Sequence, residues 1–316
     1  MPDIPGKPPI VIAHRGASAY LPEHSLPSKA LAYGMGADYL EQDIVISRDG
    51  ELLVLHDLIL DHVSDVAMKF PGRQRADGHF YCIDFDLREI RTLRFTERVK
   101  PGTQGLRYAG RFPRAAGSFP IVTFNEEIEF VRGLNQASGR SVGIFLEIKS
   151  PAWHREQGVD LPSRVLAELA DLSNLLERIP VYLACFDADE LRKIHKKVDP
   201  GFTIIQLLSS TTLIDAAQLA DIAAYAKGIG PSIQLIYQGK NSAGQPRLTD
   251  LVRQAHALGL GVYPYTFRAD DLPDGMETFE ELLELFIVRL EVDGLISDFT
   301  DRVVDFRQQQ FAGGGS

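Results

Sequence analysis

Tyr39-Leu-Glu-Gln-Asp-Ile-Val-Ile46 and Gly143-Ile-Phe-Leu-Glu-Ile148 are two apolar runs of strand length with charges set into them at alternate positions. Strand side chains alternate between two faces, so Glu41 and Asp43 share one face, and Glu147 shares one with Lys149. The other positions are apolar, the pattern of a parallel strand covered on both sides. Working outward, Ile10–Ala13, Val181–Phe186, Thr203–Leu207, Gly228–Ile229, Gly261–Tyr265 and Gly294–Ser297 repeat the theme. Amphipathic stretches lie between them at Asn125–Gln136, Ser163–Asp171, Ala188–Lys197, Leu213–Ala226, Leu248–Leu258 and Thr278–Val292. Eight strands, each followed by a helix, predict an α/β chain closed into a TIM (β/α)8 barrel. An open doubly wound sheet would advertise a glycine-rich phosphate loop after its first strand. Ile10–Gly16 has none.

Local punctuation refines this frame. Ser47-Arg-Asp-Gly50 is a turn signal, so Tyr39–Ile46 and Leu52–Leu55 should form a hairpin extending the second barrel strand. Thr123-Phe-Asn-Glu126 reads as a capping box opening a helix. From 58 to 119 the alternation breaks into a stretch rich in Arg, Gly, Phe and Asp. Such a stretch is expected to be a small inserted subdomain on one end of the barrel, where long loops are tolerated. The barrel is then expected over 9–306, with 307–316 as a flexible tail.

The 316 residues carry 33 Lys plus Arg against 43 Asp plus Glu, a net charge of −10. That surplus argues against a nucleic-acid or anionic-membrane binder, which wants a basic footprint. It leaves room for an anionic substrate, because local cations or a bound metal can reverse the field inside one cleft. Two cysteines, Cys82 and Cys185, exclude a disulfide framework and a cysteine-based zinc site. No apolar run reaches transmembrane length, and the opening residues lack the apolar core of a signal peptide. The expected compartment is the periplasm if a signal has been removed, and otherwise the cytoplasm.

Chemistry-bearing residues gather where the strands end: His14-Arg15, Glu41 and Asp43, His56-Asp57, Glu147 and Lys149, Phe186-Asp187, Gln206, Tyr265 and Asp298. Singly, each has an ordinary explanation as an ion pair, a surface histidine or a packing aromatic. Together they do not. Carboxylates on the inner face of a barrel cost several kcal/mol each unless a cation compensates. Glu41, Asp43 and Glu147 are hard oxygen ligands suited to Ca²⁺ or Mg²⁺, and the HExxH pair that would hold zinc is absent. Arg15 and Lys149 suit phosphate oxygens. His14 and His56 suit proton transfer near neutral pH. Metal, two cations and an acid/base pair make a kit for cleaving a phosphate ester. Neither a Gly-x-Ser-x-Gly elbow nor a Walker loop competes with it.

In order, His14-Arg-Gly-Ala17, Leu21-Pro-Glu-His24-Ser25, Gly36-Ala-Asp38-Tyr-Leu-Glu41-Gln-Asp43, Leu53-Val-Leu-His56-Asp57, Glu147-Ile-Lys149, Cys185-Phe186-Asp187 and Gly294-Leu-Ile-Ser-Asp298-Phe resemble the glycerophosphodiester phosphodiesterase family. The likeness spans nearly the whole chain and is strongest to the bacterial periplasmic branch; His24-Ser25 stands where many relatives have Asn-Thr. It implies hydrolysis of glycerophosphodiesters to glycerol 3-phosphate and an alcohol, with a divalent cation that is usually Ca²⁺ in this branch. By position it implies Glu41, Asp43 and Glu147 as metal ligands and His14 and His56 as the acid/base pair. It further implies Arg15 and Lys149 as phosphate contacts, and Glu23 as support for the first histidine–arginine motif. The glycerol 2-hydroxyl is the implied attacker, giving a cyclic phosphate that water opens. Phe186 and Tyr265 are expected to wall the glycerol carbons. The expected partner is a small molecule, with no nucleic acid and no stable membrane insertion.

Two rivals remain. A lipid-cleaving phosphodiesterase would need an apolar docking rim, which Phe70, Phe80, Tyr81, Phe85, Phe95 and Phe112 could supply. A binding protein without chemistry should have lost a histidine or a carboxylate, and none is lost.

Overall fold

The computed structural model describes residues 7–103, 105–114, 116–177, 179–197 and 202–311. Its strands are β1 Ile10–Ala13, β2 Tyr39–Ile46, β3 Leu52–Val54, β4 Gly143–Ile148, β5 Val181–Cys185 and β6 Thr203–Leu208. They continue as β7 Gly228–Pro231, β8 Tyr237–Lys240, β9 Pro246–Leu248, β10 Gly261–Val262, β11 Tyr265–Phe267 and β12 Gly294–Ser297. Parallel pairing runs β10-β7-β6-β5-β4-β2-β1-β12-β11. β10 and β11 are two halves of one strand, interrupted where Pro264 has no N–H to give the ladder. The Tyr263 N–H donates to the Ile229 carbonyl at 2.9 Å, and the Ile296 N–H donates to the Pro264 carbonyl at 3.1 Å. The ring therefore closes as an eight-stranded parallel barrel.

The alternation read from sequence becomes layers inside that ring. Tyr39 opposes Gly143, Glu41 opposes Phe145, and Asp43 opposes Glu147 across β2 and β4. At the N-terminal end of the strands, the rings of Tyr39 and Tyr182 lie 4.5 Å apart and those of Tyr182 and Tyr263 5.6 Å apart. They fill space that Gly143, Gly228 and Gly294 leave; a Cβ on Gly143 would come within 2.4 Å of the Tyr39 ring. Ile12, Phe145, Ile205 and Ile296 form the next apolar level. Above it, at the C-terminal ends, the interior turns polar. The opposite side chains of the same strands, Val11, Ala13, Leu40, Ile44 and Leu146, pack into the shell of surrounding helices.

Several elements differ from expectation. The helix expected over Leu213–Ala226 is shorter, Ala216–Ala223, because Asp215 caps it by accepting from the Gln218 N–H. Leu248 lies in β9, in a β8–β9 hairpin that the sequence did not announce, and the following helix begins at Leu251. Thr278–Val292 resolves into a helix over Phe279–Leu283 and a π-helical turn over Glu284–Arg289. The final helix runs over Thr300–Phe311, so residues 307–311 are helical rather than tail. Arg307 there donates to the Pro9 carbonyl at 3.0 Å, and 312–316 fall outside the described residues.

Between β3 and the helix Phe124–Ser138, residues 58–119 gather Leu60, Val63, Phe80, Phe85, Ile90 and Phe95 into an apolar cluster against Val45, Leu53 and Leu55. Phe80, Phe85 and Phe95 are buried there. Tyr81 stacks on Trp153 and Phe112 packs edge-on to Phe119. The aromatics that could have made a lipid-docking rim are thus spent on internal packing. Among the described residues no helix is long and apolar enough to cross a membrane.

Candidate active site

The polar end of the barrel is assembled strand by strand. β1 delivers His14 and Arg15, β2 delivers Glu41 and Asp43, β4 delivers Glu147 and Lys149, and β12 delivers Asp298. The turn after β1 is sharp. Arg15 sits at φ 57° and Gly16 at φ 85°, and a Cβ on Gly16 would lie 2.6 Å from Ser28 Oγ. Only glycine fits so close to the helix Leu26–Gly34.

Each histidine is held by a carboxylate through Nδ1. His14 Nδ1 is 2.6 Å from Asp298 Oδ1, and His56 Nδ1 is 2.5 Å from Asp57 Oδ1. Nε2 of each is then the nitrogen left to the cleft. Burial, reinforced by Arg15, lowers both rings to about 4. Asp298 is held well below the usual carboxylate range against its own burial, by Arg268 and His14. Arg268 Nε and Arg111 Nη2 reach Asp298 Oδ2 at 2.8 and 2.7 Å.

The acids form a crowded centre. The Arg15 N–H donates to Glu41 Oε2 at 2.6 Å, and His24 Nε2 lies 2.8 Å from Asp43 Oδ2. Lys149 Nζ is 2.6 Å from Glu147 Oε1 and 3.2 Å from Asp43 Oδ1. Burial and then the Asp43 charge push Glu41 well above its ordinary value. Burial likewise pushes Glu147 up to about 7. Asp43 goes the other way: burial opposes its charge, but Lys149, His56 and His24 hold it well below. Too much acid is gathered here for the cations present.

His24, Glu41 and Asp43 each offer a donor atom within 4.8 Å of the others, the one such group among the described residues. Glu147 stands outside it, turned onto Lys149. His24 Nδ1 is buried without a hydrogen bond, and Asp43 Oδ1 has only the ion pair with Lys149. A carboxylate oxygen met by a single lysine, beside a second, destabilised carboxyl, is what a divalent cation would satisfy, and oxygen donors suit a hard ion. These residues therefore fit such a group. Reading the sequence alone missed His24, whose only signal was its departure from Asn in the Glu23-His24-Ser25 stretch.

Glu23 takes Arg15 Nη1 at 3.1 Å on both oxygens and Arg98 at 2.6 and 2.8 Å, tying 58–119 to the site. Arg98, like Arg111, went unread in the sequence because nothing local marks a remote loop arginine as a site residue. Phe186 is 43% exposed and meets Tyr265 edge-on at 6.0 Å, both on the wall of a cavity of about 1050 Å³ that also holds His14, Arg15, His56 and Lys149. Gln206 is not in it. Its amide serves the carbonyls of Cys185, Phe186 and Leu207 and accepts from Tyr225, a structural role.

Comparison with known proteins agrees with this geometry. Residues 14–302 match the model of the glycerophosphoryl diester phosphodiesterase family. A glycerophosphodiester phosphodiesterase of Haemophilus influenzae is 37% identical, over 94% of this chain and 89% of the relative. Among solved structures, a Silicibacter pomeroyi protein assigned to glycerophosphoryl diester phosphodiesterases superposes with a TM-score of 0.73 at 20% identity, covering 97% of this chain and 96% of that one. An Oleispira antarctica phosphodiesterase in complex with its product sn-glycerol-3-phosphate gives 0.63 at 21% identity, covering 94% and 96%. The barrel, the paired histidines and the family match lead to one conclusion: this chain belongs to the glycerophosphoryl diester phosphodiesterase family and is a phosphodiester hydrolase of that class.

Proposed function

We propose that the chain cleaves glycerophosphodiesters to glycerol 3-phosphate and an alcohol with His14 and His56 as its acid/base pair. The observation that carries this is the pair of carboxylate-backed imidazoles, His14 on Asp298 and His56 on Asp57, opening on one cavity beside Arg15 and Lys149. A carboxylate at Nδ1 fixes the tautomer and leaves the Nε2 lone pair free to accept a proton. One histidine takes the proton of the attacking glycerol 2-hydroxyl. The other enters with a proton already on Nε2, favoured by the charge of the bound phosphodiester, and gives it to the departing alkoxide; the two exchange roles when water opens the resulting cyclic phosphate to glycerol 3-phosphate. Arg15 and Lys149 bind the non-bridging oxygens as charge builds on them. Phe186 and Tyr265 pack on the glycerol carbons, which explains a reaction that demands glycerol on one side and tolerates varied alcohols on the other.

Glu41 and Asp43, with Glu147 brought in from Lys149, would hold a divalent cation, Ca²⁺ or Mg²⁺. Bound there, it supplies Lewis-acid stabilisation of phosphoryl oxygen. His24 orients Asp43 through Nε2.

Phosphorus-31 spectra of glycerophosphocholine digests test the reading. Glycerol 3-phosphate and free choline are the expected products. Phosphocholine plus glycerol would mean that the other ester bond breaks and would overturn it.

A further inference from the structure

A second chamber of about 280 Å³ also reaches the histidines and is walled by Glu97, Arg98, Arg107, Tyr108 and Arg111. Four residues border both it and the main cleft: His14, Arg15, His56 and Arg268. In a displacement at phosphorus the entering and leaving oxygens stand roughly in line on opposite sides. With the glycerol half against Phe186 and Tyr265, the alcohol half points through that neck. This step rests on the function proposed above.

The walls of the chamber carry an asymmetry of charge. Arg98 is shared by Glu23 and Asp57, Arg111 by Asp270 and Asp298, and Arg268 binds Asp298. Arg107 is exposed and has no ion pair among the described residues. Its backbone is fixed, because its N–H donates to the Arg98 carbonyl at 2.8 Å. The adjacent Tyr108 ring lies 3.8 Å from the Arg111 guanidinium, anchoring this strap over the neck. Glu97 Oε2 is buried in the same wall with no hydrogen-bond partner. Burial pushes that carboxyl up to about 8, so near neutral pH it presents an O–H donor rather than a negative charge. A shallower depression of about 620 Å³, also bordered by His56, Arg98 and Arg107, continues toward solvent. Arg107 thus stands where an alcohol would leave.

We propose that this chamber receives the alcohol half of the diester and that Arg107 favours alcohols bearing an anionic group, a phosphate or a carboxylate, over cationic ones. An exposed charge acting on a ligand charge is worth up to about 1 kcal/mol, roughly fivefold.

The test compares kcat/KM for bis(glycerophospho)glycerol, whose leaving group is anionic, with that for glycerophosphocholine, whose leaving group is cationic. The ratio of the two should fall about three- to fivefold in R107A, about tenfold or more in R107E, and hold in R107K. A ratio that stays constant across the series, or equal losses on both substrates, overturns the proposal. If the unsubstituted protein cleaves neither compound, the proposed function fails. Calorimetric binding of bis(glycerophospho)glycerol then still decides the chamber: weakening by R107E supports it, and equal affinity refutes it.

Discussion

At the residue scale, the site works through pairs. Among the described residues, His14 and His56 are the histidines that combine a carboxylate at Nδ1 with a place on the wall of the main cleft. Replacing either with Ala should lower kcat by roughly 10²–10⁴-fold while leaving the circular dichroism spectrum intact. Near-normal turnover of H56A would remove that residue from proton transfer. His24 acts differently, through Asp43. Removing a group that orients a metal ligand commonly costs about 10–100-fold in metal affinity. H24A should therefore weaken Ca²⁺ binding by that factor in a calorimetric titration, with kcat recovering at saturating Ca²⁺. Loss of kcat that no Ca²⁺ concentration restores would place His24 in the chemistry instead.

At the element scale, strands were more legible than the features between them. Ile10–Ala13, Tyr39–Ile46, Gly143–Ile148 and Gly294–Ser297 coincide with β1, β2, β4 and β12, because each is a short apolar run with a polar residue only where the interior turns polar. The Pro264 interruption and the β8–β9 hairpin were not, because one is a break inside an otherwise apolar run and the other joins Tyr237–Lys240 to Pro246–Leu248, strands too short and too polar to show an apolar pattern. The alternation that put Glu41 and Asp43 on one face was readable. The rotation of Glu147 onto Lys149 was not, because it is a choice between ion partners made in three dimensions. Two elements invite tests of stability. Gly143→Val forces side-chain atoms into the Tyr39 ring and should cost at least about 1–3 kcal/mol in urea unfolding. Lys29, fully buried, pairs with Glu127 at 2.8 Å and also donates to the Glu41 carbonyl, joining the helix Leu26–Gly34 to β2 and to the helix Phe124–Ser138. K29M strands a buried carboxylate and should cost about 3–5 kcal/mol, whereas the double variant with E127L should recover much of it. Equal destabilisation of single and double variants would argue against that pairing.

At the scale of the whole molecule, the histidines and Glu147 make stability depend on pH in opposite directions, and cation binding follows the ionisation of Glu147. His14, His24 and His56 are lowered from 6.5 to about 4, so their contribution is present above about 6.5 and is lost as pH falls toward 4. Glu147 is raised from 4.5 to about 7, so its contribution is present below 4.5 and is lost as pH rises through 7. A cation needs that carboxyl ionised, and binding must release its proton. The Ca²⁺-induced rise in Tm of chelator-treated protein should therefore be larger at pH 8 than at pH 6. A rise that shrinks with pH would count against Glu147 as a ligand. On the proposed function, the buried carboxylates at this barrel mouth need a divalent cation before the paired imidazoles can act. Release of glycerol 3-phosphate from glycerophosphocholine, followed in EDTA and after readdition of Ca²⁺, Mg²⁺ or Zn²⁺, tests it most directly. Turnover should vanish on chelation and return with Ca²⁺ or Mg²⁺; undiminished turnover in EDTA, or recovery with Zn²⁺ alone, would contradict it.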